Sequence, residues 1–186
     1  TEAASDYLTR FSRLIRMVLI NSQKSTITLE DEIEMLRLYL DMERLRFKNS
    51  FDYNITYLNT VDAGAIMIPT LLLQPFCENA IWHGLMHLPD RQAGKKEKGH
   101  LEIDVYREDE MLFYKITDDG IGRKKAAELK SKSASTQKSM GMRITADRIA
   151  MLQQQGKTSI TITDLVLADG SPGGTEVLIA IPFVYD

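Results

Sequence analysis

Residues 78–84 read ENAIWHG, and this segment says more about the chain than any other of its length. Apolar residues around it recur at helical spacing, so Asn79 and His83 fall one turn apart on one face of a predicted helix. Asparagine is a poor helix former, whereas its carbonyl oxygen is a hard ligand suited to Mg2+. The segment therefore indicates a magnesium ligand, or alternatively an asparagine that bonds a neighbouring loop beside a surface histidine.

About forty residues later, residues 116–122 read ITDDGIG and follow a stretch of alternating polarity that predicts a strand. Asp118 would lie where this strand ends, and the glycines Gly120 and Gly122 would let the backbone approach a ligand closely. A carboxylate fixed there can accept a hydrogen bond from an exocyclic amine. The alternative is a simple strand-ending turn, because Asp-Gly pairs are common in turns. Taken together, the two segments suggest a magnesium-nucleotide site.

Composition limits the class of protein without identifying it. The chain has 186 residues, 44% hydrophobic and 26% charged, which fits one sizeable globular core. Its net charge of -3 gives no basic footprint, so no nucleic-acid partner is expected. The single cysteine, Cys77, excludes an internal disulfide, and no apolar run is long enough to span a membrane. The start at Thr1, without Met or a signal-like segment, predicts a piece of a longer protein.

The first half of the chain alternates between predicted helices and strands. An amphipathic helix is expected over 3–20, and a second helix should start at an N-cap, Thr28, and end near 47–49. A strand is predicted over 51–58. Pro69 suits the first turn of a third helix, which is expected to run to about His87.

The second half of the chain is predicted to be mostly hairpins. The elements expected there are a polar loop over 89–99, a hairpin around 108–110, a short helix over 123–130, a mobile lid over 131–139, a helix over 142–155, and strands over 159–167 and 175–183. Hairpins imply antiparallel pairing. The predicted fold class is α+β: a two-layer α/β sandwich in which a mostly antiparallel mixed sheet carries helices on one face.

Two further segments could touch a ligand. Residues 139–143, SMGMR, open the predicted helix after the lid, where free backbone amides favour phosphate. Residues 173–175, GGT, open the last strand, and the Thr175 hydroxyl could bond a carboxylate or a water. Each segment taken alone is equally compatible with an ordinary loop or a hairpin turn.

The four segments in this order resemble the ATP-binding domain shared by gyrase B, Hsp90, histidine kinases and MutL, the GHKL or Bergerat fold. The closer likeness is to sensor histidine kinases of the LytS/YehU type. It extends over nearly the whole chain. The segments that carry it are TLEDEIEMLRLYLDMERLRF from Thr28, IPTLLLQPFCENAIWHG from Ile68, ITDDGIG from Ile116, KSMGMRITADRIAML from Lys138 and GTEVLIAIP from Gly174.

The resemblance implies a role for each matching residue. Asn79 would hold Mg2+ against the phosphates of ATP, with Glu78 and His83 as its neighbours in the catalytic group. Asp118 would bond the adenine amine. The remaining residues expected to contact the cofactor are Gly120, Gly122, Lys138, Gly141, Met142, Arg143 and Thr175.

Two departures from the family pattern stand out. Many histidine kinases carry lysine three residues after the asparagine, where this chain has Trp82, so the phosphate-facing cation is expected from Lys132, Lys138 or Arg143. Ser139 stands where a first glycine is usual. The phosphate-accepting histidine is expected on a helix upstream of this chain.

The resemblance thus predicts a catalytic domain over 26–186, preceded over 1–25 by the second helix of a dimerisation hairpin. It implies γ-phosphate transfer from Mg-ATP to a histidine, a homodimer formed through the hairpin, and a response regulator as partner. It also implies a cytoplasmic piece, without membrane contact of its own, of a bacterial protein anchored in the inner membrane. The alternatives are a nucleotide-binding interaction module without kinase activity, another GHKL ATPase that acts as a conformational clamp, and an α/β domain without nucleotide.

Overall fold

A five-stranded sheet forms one layer of the molecule. The computed structural model describes residues 2–88, 98–132 and 158–185. In the central strand β5 (Met111–Asp118), buried and half-buried residues alternate without a break, so one sheet face is packed and the other meets solvent. The other strands of this sheet are β2 (Phe51–Tyr57), β4 (Gly99–Glu108), β6 (Ser159–Val166) and β7 (Pro172–Pro182).

The strand order is β2-β4-β5-β7-β6, and it confirms the predicted mixed sheet. The two predicted hairpins are present, since β4 pairs antiparallel with β5 and β6 pairs antiparallel with β7. Among the strands that the structure describes, β2 and β4 form the parallel pair. A small second sheet joins β1 (Thr26–Thr28), β3 (Ile66–Pro69) and β8 (Val184–Tyr185) in the order β1-β3-β8.

Helix α2 (Leu29–Arg46) contributes ten buried residues to the core and begins at the predicted cap. The Thr28 hydroxyl accepts a hydrogen bond from the Asp31 backbone N–H at 3.1 Å. One residue on, Glu32 is only 2% exposed and points into the core. Its carboxylate accepts backbone N–H bonds from Leu71 at 2.9 Å, Leu72 at 2.7 Å and Leu73 at 3.1 Å. Glu32 therefore holds in place the loop that leads into α3 (Gln74–Asn79).

The first helix, α1 (Glu2–Asn21), packs against α2 with one face only. Leu14 joins the common core, and Arg10 forms an ion pair with Asp41 of α2 at 3.0 Å. The opposite face stays apolar and open, with Leu8 and Leu19 each 61% exposed. The amphipathic helix expected over 3–20 is thus confirmed, while the domain boundary at residue 25 stays a prediction. Within the described residues, no helix is long and apolar enough to cross a membrane.

The third helix differs from its prediction. Pro69 ends strand β3 and does not start a helix. Leu71 has a positive φ of 56°, which turns the backbone before α3 begins. Pro75 is the proline in the first turn, and α3 spans only six residues. The chain then continues as a π-helical turn (Ala80–Gly84) and a 3-10 turn (Leu85–His87). The apolar spacing of this segment had suggested one continuous helix.

The last helix is α4 (Gly122–Lys132), close to its predicted range. The lid was predicted over 131–139, but residues 131 and 132 belong to α4. The rest of the predicted lid and the predicted helix over 142–155 lie outside the described residues.

Candidate functional site

An apolar cavity of about 280 Å3 lies between the helix layer and one end of the sheet. Its walls come from α3 and the π-helical turn, from the ends of β5 and β7, from β6 and from α4. The predicted site residues that line it are Asn79, His83, Asp118, Gly122 and Thr175. Residues from both opening segments therefore meet at one place.

The Asp118 carboxylate is the buried acidic group of this cavity, with 6% of the residue exposed. Burial raises its pKa to about 6, because the charged form loses its water. The backbone N–H of Gly120 donates to Oδ1 at 2.9 Å, and this bond and one from the Thr175 backbone N–H pull the pKa back down. Such a carboxylate is poised to accept a hydrogen bond from a ligand.

The neighbouring Asp119 has a different task. Its Oδ1 accepts the backbone N–H of His100 at 2.6 Å, and its own N–H donates to the His100 carbonyl at 3.2 Å. These bonds tie the end of β5 to the start of β4. Two adjacent aspartates are therefore divided between a cavity group, Asp118, and a structural clamp, Asp119.

Glycines bring the two segments into direct contact. A Cβ added to Gly120 would lie 2.5 Å from the Gly84 Cα, and one added to Gly84 would lie 2.8 Å from the Asp118 Oδ1. The Ile121 backbone N–H also donates to the Gly84 carbonyl at 3.4 Å. Side chains at these positions would push the two walls apart, which explains why both segments carry glycine there.

Asn79 and His83 form the helix wall of the cavity. Asn79 ends α3, and the Leu85 backbone N–H reaches back five residues to the Ala80 carbonyl, which is a π-type bond. Such turns widen a helix locally and are frequent at functional sites. Asn79 is half-buried and His83 is exposed, and both residues line the cavity.

Trp82 and Glu78 are not among the lining residues and face α2. The Trp82 ring packs edge-on against Phe47 at 5.0 Å between ring centroids. Burial raises the pKa of Glu78, and its charge contributes to the raised pKa of Glu43 on α2, where burial is the largest cause. Glu78 therefore supports the wall from behind, in contrast to Asn79 beside it.

The remaining predicted site residues do not line the cavity or are not described by the structure. Gly120 lies just behind Asp118 and contributes its backbone N–H. Lys138, Gly141, Met142 and Arg143 lie outside the described residues.

Sequence reasoning missed the apolar part of the cavity. The lining residues that it did not single out include Phe76, Ile116, Ala126, Ile162 and Val177. Ile116 and Val177 are register partners on β5 and β7. The alternation of these strands indicated an inward face but could not show that this face ends in a cavity.

Comparisons with known proteins find similarity to histidine kinases. A family model described as histidine kinase matches residues 1–51. The sensor protein LytS of Staphylococcus epidermidis is 29% identical over 122 residues, which is 66% of this chain and 19% of that protein. The sensor histidine kinase/phosphatase LytS of Staphylococcus aureus is 30% identical over 109 residues, 58% of this chain and 17% of that protein. The chain thus spans about a fifth of the length of these relatives.

Solved structures with a similar fold are histidine kinases. The mycobacterial sensor histidine kinase MprB superposes with a TM-score of 0.52 at 15% identity, covering 87% of this chain and 98% of that one. A nucleotide-free catalytic domain of histidine kinase ThkA gives a TM-score of 0.51 at 14% identity, covering 84% and 95%. The matches in sequence and fold agree: the chain is similar in sequence to the LytS sensor histidine kinases, and its fold is that of histidine kinase catalytic domains.

Proposed function

We propose that this chain is the ATP-binding catalytic domain of a two-component sensor histidine kinase. The observation that carries the proposal is the buried Asp118 carboxylate on the wall of an apolar cavity that also presents Asn79. A flat base packs against apolar side chains such as Ile116 and Val177, while its exocyclic amine donates to the carboxylate. Adenine has such an amine, and guanine presents a carbonyl at the equivalent ring position.

The phosphates would then lie toward Asn79. Its carboxamide oxygen suits Mg2+, which commonly takes few protein ligands and completes its shell with phosphate oxygens and water. No group of three or more His, Cys, Asp or Glu side chains that could hold a metal occurs in the described part of the chain, which fits a metal held mainly by the nucleotide. When bound, Mg2+ would neutralise phosphate charge during transfer.

The chain's own contribution is positioning, because phosphoryl transfer needs mainly alignment and charge neutralisation. Asp118 orients the base and Asn79 orients the phosphate end. The γ-phosphate would pass to a histidine on a helix upstream of α1. A homodimer formed through that hairpin, a response regulator that receives the phosphate, and a membrane anchor in the parent protein belong to the same proposal.

One observation favours a second candidate, a nucleotide-binding module or ATPase clamp without kinase activity. Trp82, at the position where many histidine kinases carry lysine, packs against Phe47 and offers no charge of its own. This alternative predicts nucleotide binding without transfer to histidine.

Calorimetry with ATP and GTP, followed by a transfer assay, tests both candidates. We expect Mg-ATP to bind and GTP to bind far more weakly. A parental protein that includes the upstream helix should then accept radiolabelled phosphate on histidine. Tight ATP binding with hydrolysis but no phosphohistidine would favour the clamp, and no ATP binding would refute both candidates.

A further inference from the structure

Arg46, at the end of α2, holds its guanidinium group over the Trp82 ring. The Arg46 Cζ lies 4.8 Å from the Trp82 ring centroid and 5.6 Å from that of Phe47. Its Nη1 also lies 3.5 Å from the Glu43 Oε1. These contacts restrain a long side chain that is nevertheless 56% exposed. The cation is thus preorganised with donors still facing solvent.

The position of this cation is set by the helix wall of the cavity. Trp82 follows Asn79 by three residues, so the two side chains are neighbours on the helix surface. Asn79 lines the cavity, whereas Trp82 lies outside the lining, so the Trp82 ring and the guanidinium group stacked on it flank the helix wall on the Asn79 side. The Asp118 carboxylate lies on the sheet wall and marks the other end.

Among the residues that the structure describes, the arginine that lines the cavity is already paired. Arg123 forms two bonds to Asp164, from Nε to Oδ1 at 2.7 Å and from Nη2 to Oδ2 at 2.9 Å. A bidentate pair of this kind commits the Nε/Nη2 edge of the guanidinium group to Asp164. Arg46 makes one longer contact to Glu43 and keeps most of its planar fork available, and this geometry suits phosphate oxygens.

We propose that Arg46, carried on the Trp82 ring, binds the phosphate groups of the nucleotide and makes the site prefer nucleoside di- and triphosphates to nucleosides. This inference rests on the proposed function. Trp82 then acts as the platform for a cation that α2 supplies. The charge reaches the phosphate end from a different element from the one that carries Asn79.

Calorimetric titration of adenosine, ADP and ATP into wild-type chain, Arg46→Gln and Arg44→Gln tests this inference. Arg44 is the matched control, because it lies at the same end of the helix but stacks over the Tyr53 ring. Its Nη2 lies 3.9 Å from the Asp41 Oδ1. We expect Arg46→Gln to weaken ADP and ATP about tenfold. Adenosine affinity should stay at the wild-type value, and Arg44→Gln should bind all three ligands as wild type does.

The outcomes separate this inference from the proposed function. Wild-type affinity of Arg46→Gln for ADP would overturn it, as would an equal loss for adenosine and ADP, since that would show Arg46 only supporting the wall. Recovery of ADP affinity when Trp82→Lys is added to Arg46→Gln would support a role as a charge. Failure of wild-type chain to bind any of the three ligands would refute the nucleotide site itself, and the inference with it.

Discussion

On the sheet side of the cavity a buried carboxylate is gripped by two backbone amides, whereas on the helix side Asn79 and His83 stand half-buried or exposed on a π-helical turn. The sheet side is held by long-range strand pairing and by glycine contacts too close for a side chain. The helix side is held from behind, by Glu32 at the base of α3 and by Trp82 against α2. The difference suggests that the sheet side selects the base and the helix side adapts to phosphate and metal.

The largest expected effect comes from removing the charge on the sheet side. Asp118→Asn should weaken ATP binding by about a hundredfold, because a charge-assisted bond is lost and the new amide sets a donor against the adenine amine. Calorimetry measures this directly. Asp119→Asn is the matched control and should bind ATP as wild type does, since Asp119 clamps β4 and does not line the cavity. Equal losses in both variants would contradict the division between the two aspartates.

The pH dependence of binding should separate the two sides next. Because the Asp118 pKa is about 6, this carboxyl is protonated at lower pH. It must then lose its proton before it can accept the hydrogen bond of the adenine amine as a carboxylate. ATP affinity should therefore fall by about tenfold per unit as the pH drops below 6. The ATP affinity of Asp118→Asn should not depend on pH in this way. Calorimetric titrations from about pH 5 to about pH 8, in steps of about one unit, would show the difference.

The raised Asp118 pKa also makes the free energy of unfolding depend on pH. The folded state holds the Asp118 proton more tightly than the unfolded chain, so ionisation costs stability, and this cost grows as pH rises from about 4 to about 6. Asp118→Asn should remove that slope from the free energy of unfolding in urea titrations. An identical pH profile for both proteins would argue against the raised pKa.

A smaller effect is expected on the helix side. Asn79→Ala should weaken Mg-ATP by about 1 kcal/mol, or roughly fivefold, while leaving metal-free ATP unaffected. The test is ATP titration with Mg2+ and with a chelator. Persistence of the full Mg2+ effect in the variant would remove Asn79 from the metal site.

The smallest effect on ATP affinity should come from Glu32→Gln, because Glu32 does not line the cavity and supports the loop before α3. Its main effect should be on stability. The amide keeps one acceptor oxygen but turns a donor toward one of the three backbone N–H groups, so the free energy of unfolding should fall by about 1 to 3 kcal/mol. Glu34→Gln is the control on the same helix, because Glu34 makes an exposed ion pair with Arg13, and such pairs contribute little. Chemical denaturation of both variants decides, and equal stability would show that the Glu32 charge is not needed.

Local patterns in the chain were sufficient for most of the described elements. The Thr28 cap, the two hairpins and the alternation of β5 follow from propensity and period alone, and the structure confirms them. The prediction for the segment after Pro69 was wrong. Its apolar spacing suits a helix, but the buried Glu32 carboxylate, forty residues away in the sequence, binds backbone N–H groups there and holds a loop. No local pattern reports such a partner.

By itself, the sequence determined the elements and the motif order, and through them the likeness to histidine kinases. The tertiary structure alone decided that Asp119 clamps β4, that Trp82 turns to α2 and carries Arg46, and that Gly84 meets Gly120. The physical reason is range. Period and capping depend on neighbours within a turn or two, whereas side-chain direction and close backbone contact depend on residues brought together only when the sheet and the helices pack.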